Sequence, residues 1–370
     1  MDDDAQRDSR MLLNASHGIG PVIFSRLMAS FENNPARIIS ALDSELLKVN
    51  GIGKNTIESM REKISSGWLD KEKQKMEKMG AQFIHTNQLP EHLEQLMDPP
   101  TGLYTLGEVP KSPCISIVGT RYPSGYGKKF ARQIAFELAK SGICIVSGMA
   151  RGVDSEAHWG ALEAGGSTMA FLGSGIDVVY PPENLELYKK IQVSGAILSE
   201  FPIGRRADRK TFPMRNRLVA GASLGVLVIE SAKSGGSMIT AKFAAEQGRT
   251  VFSLPGRIDH PESQGCLDLI RDGATLIRNT NDILEELKPM LQETKLSNIS
   301  LSDSLSKDCP ILDEKEQQIV QALLDGERYN TEDLQRLTQL TISEIIPSIT
   351  MLEIRGLVTK RPDGKYEGNL

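Results

Sequence analysis

The sequence predicts an α/β protein: a doubly wound parallel sheet, preceded by a helical region and followed by a small module of three helices and two strands. Three observations carry this. Short apolar runs alternate with helix-length segments between residues 112 and 291. Glycine is abundant (33 of 370 residues) and aromatics are few (5%), which suits tight turns between strands and helices. Hydrophobic residues at 39% and charged residues at 25% fit a globular chain with a substantial core, and the length suggests two or three domains.

In the central region the strand candidates are residues 115–118, 143–146, 168–172, 196–199, 224–229, 250–253 and 275–277. Helix candidates at 126–140, 154–164, 184–192, 214–220, 237–247 and 264–271 separate them. Apolar strands joined through helices of this size form a parallel sheet covered on both faces. Before it, residues 10–70 read as short helices. Two Gly-Ile-Gly turns recur, His17-Gly18-Ile19-Gly20-Pro21 and Asn50-Gly51-Ile52-Gly53-Lys54, each opening an amphipathic stretch. This is a helix-hairpin-helix pattern, whose helix N-termini can meet a phosphate; a small bundle with two tight turns is the alternative. A charged helix (71–79), a short strand (81–85) and an extended Asp98-Pro99-Pro100 form the connection to the core.

After the core, the Ser-rich stretch 293–312 reads as a flexible linker. Residues 313–370 give helices at 313–324, 334–340 (capped by Asn330-Thr331-Glu332-Asp333) and 342–354, the last ending at Gly356 and kinked at Pro347. Strand signals at 357–360 and 365–366 flank the turn Pro362-Asp363-Gly364, a winged helix-turn-helix pattern. The domains are therefore placed at 1–75, 76–292 and 313–370.

The chain is acidic, at net −5, but residues 205–217 carry six Arg or Lys among thirteen residues, with Asp208 the one acid. Phe212 lies among these cations, in Lys210-Thr211-Phe212-Pro213-Met214-Arg215-Asn216-Arg217. Cations that grip phosphates beside a ring that stacks on a base suit single-stranded nucleic acid; a solvated basic loop would share the composition.

Ligands of open parallel sheets bind beyond the carboxyl ends of the strands. Four glycine-rich segments fall there: Gly119-Thr120-Arg121, Ser147-Gly148-Met149-Ala150-Arg151-Gly152, Gly173-Ser174-Gly175, and Glu230-Ser231-Ala232-Lys233-Ser234-Gly235-Gly236-Ser237. Small residues let backbone amides approach an anion, so these turns with Arg121, Arg151 and Lys233 predict a phosphate-accepting edge. Gly165-Gly166 reads instead as a helix stop.

Neither GxGxxG nor GxxxxGK[ST] follows a strand, which disfavours NAD, FAD and ATP, and no cofactor is expected. Cys114, Cys144, Cys266 and Cys309 form no CxxC pair, and the five histidines form no HExxH, so metal chemistry has no support. Asp154-Ser155-Glu156-Ala157-His158 cannot make a triad on one helix, apart from an Asp154–His158 pair; Asp154 reads as a helix cap. Glu230 is a candidate carboxylate catalyst and Glu200 reads as structural. The acidic N-terminus has no signal-peptide pattern and no run reaches eighteen apolar residues, so a cytoplasmic protein without membrane segments is expected.

Taken in order, Ile117-Val118-Gly119-Thr120-Arg121, Ser147-Gly148-Met149-Ala150-Arg151-Gly152-Val153-Asp154, Gly173-Ser174-Gly175-Ile176-Asp177 with Tyr180-Pro181, Ser199-Glu200-Phe201-Pro202, Phe212-Pro213-Met214-Arg215-Asn216-Arg217, and Ser234-Gly235-Gly236-Ser237 with Thr240-Ala241 resemble the DprA (Smf) family of bacterial DNA-processing proteins. The resemblance spans almost the whole chain. It implies an extended Rossmann-like core that binds single-stranded DNA without turnover, protects transforming DNA, loads RecA while displacing single-strand-binding protein, and forms a homodimer. The family's pocket maps to Arg121, Lys210 and Phe212, and its dimer surface to Gly265-Cys266-Leu267-Asp268-Leu269-Ile270, with Leu267, Leu269 and Ile270 as interface residues. The N-terminal region resembles the SAM-like domain of longer members. With the rim residues, the expected DNA contacts are Gly119, Thr120, Arg121, Ser147, Gly148, Arg151, Lys210, Phe212, Arg215, Asn216, Arg217, Lys233, Ser234, Gly235 and Gly236.

One feature departs from a DNA-reading winged helix. Residues 313–370 hold seven Lys plus Arg against eleven Asp plus Glu, and the third helix offers Glu344 and Glu353 with Arg355 only at its end. A groove-binding helix needs cations, so this module is expected to bind a partner or serve an accessory role. The acidic module also argues against a ligand-sensing transcription factor. A nucleotide-processing enzyme related to the lysine-decarboxylase-like phosphoribohydrolases is the alternative function, although their PGGxGTxxE run is replaced here by Ser234-Gly235-Gly236-Ser237-Met238-Ile239-Thr240.

Overall fold

A computed structural model describes residues 3–293, 313–323, 329–354, 358–360 and 364–368. The expected linker (beyond Glu293), Cys309, Arg355, Gly356 and the Pro362-Asp363 turn lie outside the described residues. The chain divides into two compact units, Met1–Asn298 and Ile299–Leu370.

The first unit begins with helices α1 (Asp3–Ala15), α2 (Pro21–Ser30), α3 (Pro35–Ser40), α4 (Asp43–Leu46), α5 (Lys54–Ser65) and α6 (Trp68–Met79). The two Gly-Ile-Gly turns brace each other's helices. The amide of His17 donates to Ser59 Oγ of α5, and Arg26 of α2 donates to the Asn50 carbonyl. Gly18 (φ +87°) abuts Thr56 and Gly51 (φ +94°) abuts Ile23; an added Cβ would come within 2.6 and 2.5 Å of those side chains. These contacts fall at matching offsets in the two hairpins, three and six residues beyond each turn. The hairpins enclose a core of their own around Phe24, Leu27, Ile38, Leu46, Ile57 and Met60.

Next come β1 (Gln82–Ile84), β2 (Leu103–Gly107), β3 (Cys114–Val118), α7 (Gly125–Lys140), β4 (Cys144–Ser147), α8 (Val153–Glu163), β5 (Thr168–Phe171), α9 (Leu185–Ser194) and β6 (Gly195–Ser199). The unit continues with α10 (Thr211–Gly221), β7 (Gly225–Val228), α11 (Gly236–Glu246), β8 (Thr250–Ser253), α12 (Gln264–Arg271), β9 (Thr275–Leu276) and α13 (Thr280–Glu293). The nine strands form one sheet in the order β1-β2-β6-β5-β4-β3-β7-β8-β9. From β6 to β9 all neighbours are parallel, as expected for a doubly wound sheet.

The edge corrects the expectation of a purely parallel sheet: β2 pairs antiparallel with β6, and β1 antiparallel with β2. The sequence reading passed over β2. Leu103, Tyr104, Thr105 and Leu106 are all buried, and that run is only four residues long. It also follows directly on the Asp98-Pro99-Pro100 signal that reads as linker. Helix α13 was likewise not anticipated.

Alternate strand residues point to opposite faces. Val118, Val146, Phe171, Leu198 and Val228 meet α10 and α11 through Leu218, Val219, Ala241 and Ala244. Ile115, Ile117, Ile145 and Leu227 meet α7, α8 and α13 on the other face. Toward the β2 edge, Met11 of α1 and Met76 of α6 join α9 against Tyr104, Ala170 and Ile197. Asn14 adds a hydrogen bond to the Glu200 carbonyl at 2.7 Å. Gly165, at φ +68°, ends α8 as the sequence suggests.

The second unit has α14 (Glu314–Ala322), α15 (Thr331–Thr338), α16 (Ile342–Ile354), β10 (Val358–Lys360) and β11 (Tyr366–Gly368). Asp313 and Asn330 cap the first two helices, each within a reciprocal capping box. Helix α16 contains Pro347. Strands β10 and β11 pair antiparallel, and Tyr329 adds a bridge to Tyr366. Ile319, Leu334, Ile345, Ile349, Leu352 and Val358 form this unit's core.

Candidate nucleic-acid interface

The strand order reverses at β3. Strands β4, β5 and β6 extend to one side and β7, β8 and β9 to the other, which places a crevice where β3 and β7 end. There the Thr120 amide donates to the Glu230 carbonyl at 2.7 Å. The Glu230 carboxylate is buried and accepts from the Ser124 amide at 2.9 Å and from Ser124 Oγ at 2.5 Å. Both oxygens are committed to holding the loop that opens α7, so Glu230 is a brace for this turn and the catalyst reading is set aside.

Arg215, near the start of α10, is buried and reaches under the rim. It donates to the Phe171 carbonyl at 2.8 Å and to Asn216 Oδ1 at 3.1 Å. Gly148 makes room for it, since a Cβ there would lie 1.6 Å from Nη1 of Arg215. Asp154 completes the arrangement by accepting from the amides of Gly148 (3.1 Å) and Ala150 (3.3 Å). It is therefore not the cap of α8, a position taken by Gly152. Burial raises the Asp154 carboxyl above its usual value, and Arg215 and the two amides oppose that rise. Burial likewise lowers the Arg215 guanidinium, with Asp154 opposing.

No Asp154–His158 pair forms among these contacts. His158 Nδ1 is 2.7 Å from Thr168 Oγ1, whose hydroxyl donates to the Ile145 carbonyl. Burial, with Arg215 nearby, brings the His158 pKa down to about 3, which makes it a neutral core residue.

Above this framework lie the exposed groups. The Arg121 guanidinium sits 5.3 Å from the centre of the Phe212 ring, and the Tyr180 ring is 5.7 Å from the same ring. Gly173 lies under Phe212, with 3.1 Å from a built Cβ to the ring. Lys210 is exposed immediately before α10. A groove of about 470 Å³ runs from Gly119, Thr120 and Arg121 across Phe212 and Asn216 to Gly235 and Gly236. The sequence-predicted Gly119, Thr120, Arg121, Gly148, Phe212, Arg215, Asn216, Gly235 and Gly236 thus converge on one groove.

Others are placed differently. Arg217 points inward, and its Nη2 meets Glu200 Oε1 at 2.5 Å while Nη1 donates to the Asp98 carbonyl at 2.8 Å. It braces the interior, not the groove, and Glu200 is structural as expected. Ser147 is buried, donating to the Ile117 carbonyl at 2.6 Å. The Gly173-Ser174-Gly175 turn is packed against the following loop, with the Gly175 amide donating to the Arg205 carbonyl. Arg151 is exposed but ion-paired with Glu183, and exposed Lys233 pairs with Asp268 of α12 at 3.2 Å. Ser234 is exposed beside the groove. Leu267, Leu269 and Ile270 are half-buried on α12, and Leu269 packs against the core under α11.

Two aromatics that the sequence reading does not single out as site residues lie here, Tyr122 in the groove and Tyr180 in an adjoining hollow. The signal was present, since one follows Arg121 directly and the other belongs to the Tyr180-Pro181 motif. Among the described residues, no three His, Cys, Asp or Glu side chains are grouped to hold a metal ion. Among the same residues, no helix is long and apolar enough to cross a membrane.

The fold and its rim define a doubly wound α/β protein with a cationic and aromatic groove at the switch point of its sheet. The family described as DNA recombination-mediator protein A matches residues 81–288, and the chain belongs to that family. It is 35% identical to Protein Smf of Synechocystis sp. over 95% of this chain and 96% of that one. It is 39% identical to DNA processing protein DprA of Bacillus subtilis over 55% of this chain and 70% of that one.

Among solved structures it is similar to DNA processing protein A from Streptococcus pneumoniae, with TM-score 0.68, 31% identity and coverage of 75% of this chain and 97% of that one. It is also similar to DNA processing protein A from Helicobacter pylori, whose structure concerns its single-stranded DNA binding mode. There the TM-score is 0.52 and the identity 33%, over 57% of this chain and 96% of that one.

Proposed function

We propose that this chain is a cytoplasmic recombination mediator that binds single-stranded DNA in the groove at the β3–β7 switch point. The observation that carries the reading is the Arg121 guanidinium over the Phe212 ring, a phosphate-gripping charge joined to an aromatic surface, with exposed Lys210 two residues before that ring in the chain. The similarity to a protein studied for its single-stranded DNA binding supports it. In this reading the protein acts without turnover, protects incoming transforming strands, displaces single-strand-binding protein and loads RecA. It works as a homodimer through α12, and the second unit is an accessory or partner-binding winged helix.

Fluorescence anisotropy of a labelled poly-dT oligonucleotide, with unlabelled single strand or duplex as competitor, tests the reading. Single strand should compete and duplex should not. Affinity should fall with salt by a slope of about 0.7 per phosphate contact. Arg121→Glu and Lys210→Glu should abolish binding, and Phe212→Ala should cost about 1–3 kcal/mol. Unchanged affinity in all three variants would place the site elsewhere. Light scattering on Leu269→Arg tests the dimer surface, with a monomer expected. Hydrolysis of a nucleoside monophosphate would favour the enzyme alternative, and none is expected.

A further inference from the structure

The groove does not end at Phe212. Arg121, Gly148, Ala150, Phe212 and Arg215 line two hollows at once and so form a ridge between them. Tyr180 stands in one hollow and Tyr122 in the other.

The two tyrosines differ from Phe212 in what they offer a ligand. Phe212 is half-buried, already in contact with Arg121, Tyr180 and Gly173. Tyr180 is 41% exposed and Tyr122 is 79% exposed. Stacking requires an uncovered ring face, and the tyrosines have more of it than the phenylalanine between them. The rings of Tyr180 and Phe212, 5.7 Å apart and tilted by 41°, are too close to admit a base between them, which needs roughly 7 Å for two stacking contacts. The Tyr180 hollow holds only about 10 Å³, so a base meets the uncovered outer face of that ring.

We propose that Tyr180 and Tyr122 are base platforms on either side of the Arg121–Phe212 ridge. A single strand crosses the ridge with its backbone at Arg121 and one unpaired base on each tyrosine. Phe212, besides the aromatic surface it offers, is the ledge against which Arg121 and Tyr180 rest. Because every base has a π-face, such platforms are indifferent to sequence. Exposed tyrosines elsewhere on a surface need no ligand; these two line adjoining hollows that share the Arg121 side chain. The inference rests on the strand-binding reading and deepens it.

The test uses the full chain and short labelled oligo-dT, with anisotropy measured over a salt series for wild type, Tyr180→Ala, Tyr122→Ala, the corresponding Phe variants and Arg121→Ala. Each Tyr→Ala change should weaken binding roughly 5- to 150-fold while leaving the salt slope unchanged, because no phosphate contact is lost. The Phe variants should bind like wild type, since the ring is kept. Arg121→Ala should lower the salt slope by about 0.7. Strands with one 2-aminopurine should be quenched on binding, less so in each Tyr→Ala variant. Both side chains are at the surface, so the alanine variants should unfold at the wild-type urea concentration. If either alanine variant binds and quenches like wild type while Arg121→Ala does not, the two-platform path is wrong and strand binding stands. If wild type fails to bind at low salt, the strand-binding reading itself falls.

Discussion

Replacing Arg217 with alanine separates a brace from a DNA contact. By sequence Arg217 belongs to the basic stretch; by structure it is 4% exposed and paired with Glu200, itself 7% exposed. The change removes the contact to Glu200 Oε1 at 2.5 Å, the 2.8 Å hydrogen bond to the Asp98 carbonyl and the 3.5 Å approach to the Asp98 carboxylate. Among the described residues the other Glu200 oxygen is buried without a hydrogen-bond partner, so the carboxylate depends on this one arginine. Removing one member of a buried pair costs about 3–5 kcal/mol, because the remaining charge stays desolvated.

Both tryptophans, Trp68 and Trp159, lie in the first unit, and their fluorescence in urea follows its unfolding. At a slope of about 2–3 kcal/mol/M the midpoint should fall by about 1–2 M. Burial already raises the Glu200 pKa, and Arg217 opposes that rise, so the variant's Glu200 should be higher still. A folded pKa above the unfolded value of about 4.3 stabilises at low pH and ceases to do so as pH rises. The deficit should therefore shrink on acidification toward pH 4. The salt slope of strand binding should be unchanged at pH 7. A wild-type urea midpoint combined with a reduced salt slope would refute the argument and return Arg217 to the DNA.

Other outcomes follow from the same framework. Gly148→Ala places a Cβ 1.6 Å from the Arg215 guanidinium and should destabilise by about 1–3 kcal/mol in urea while also weakening strand binding. His158, with its pKa held at about 3 by burial, is depressed below the unfolded value of about 6.5. Its contribution is present above pH 6.5 and is lost as pH falls, so the urea midpoint of wild type should drop more steeply between pH 6.5 and 4 than that of His158→Gln. The acidic second unit should not bind duplex DNA at ~150 mM salt, where weak phosphate contacts are screened, and binding measured by gel shift or anisotropy would overturn that expectation.

The parallel core was legible because its information is local. The strands of residues 114–118, 144–147, 168–171 and 225–228 are predominantly apolar runs, each interrupted by at most one Ser or Thr, and glycine-rich segments follow them. The rim was legible for a related reason. Small residues must follow each strand to let backbones and Arg215 pack closely, and Gly119, Gly148 and Gly235 mark those points without knowledge of the sheet. The antiparallel edge was not legible, since β2 follows directly on the Pro99-Pro100 signal that reads as linker and its partner β6 lies roughly ninety residues away.

Side-chain direction was the other limit. Composition places Arg215 and Arg217 two residues apart in one cationic stretch, yet both are drawn beneath the surface by the helical turn of α10. Burial of a guanidinium requires acceptors, and these come from Phe171, Glu200 and Asp98, remote in sequence. Long-range packing likewise committed Glu230 to Ser124, while a local turn committed Asp154 to the amides of Gly148 and Ala150, leaving neither as a chemical group in waiting. The sequence by itself determined most elements of the core, its parallel character and the charge of the rim, because these follow from periodicity and residue type; the strand order and the antiparallel edge came from the fold. Which cations face the groove, and that Tyr122 lines it while Tyr180 lines the adjoining hollow across Arg121, was decided only when strands distant in the chain were brought side by side.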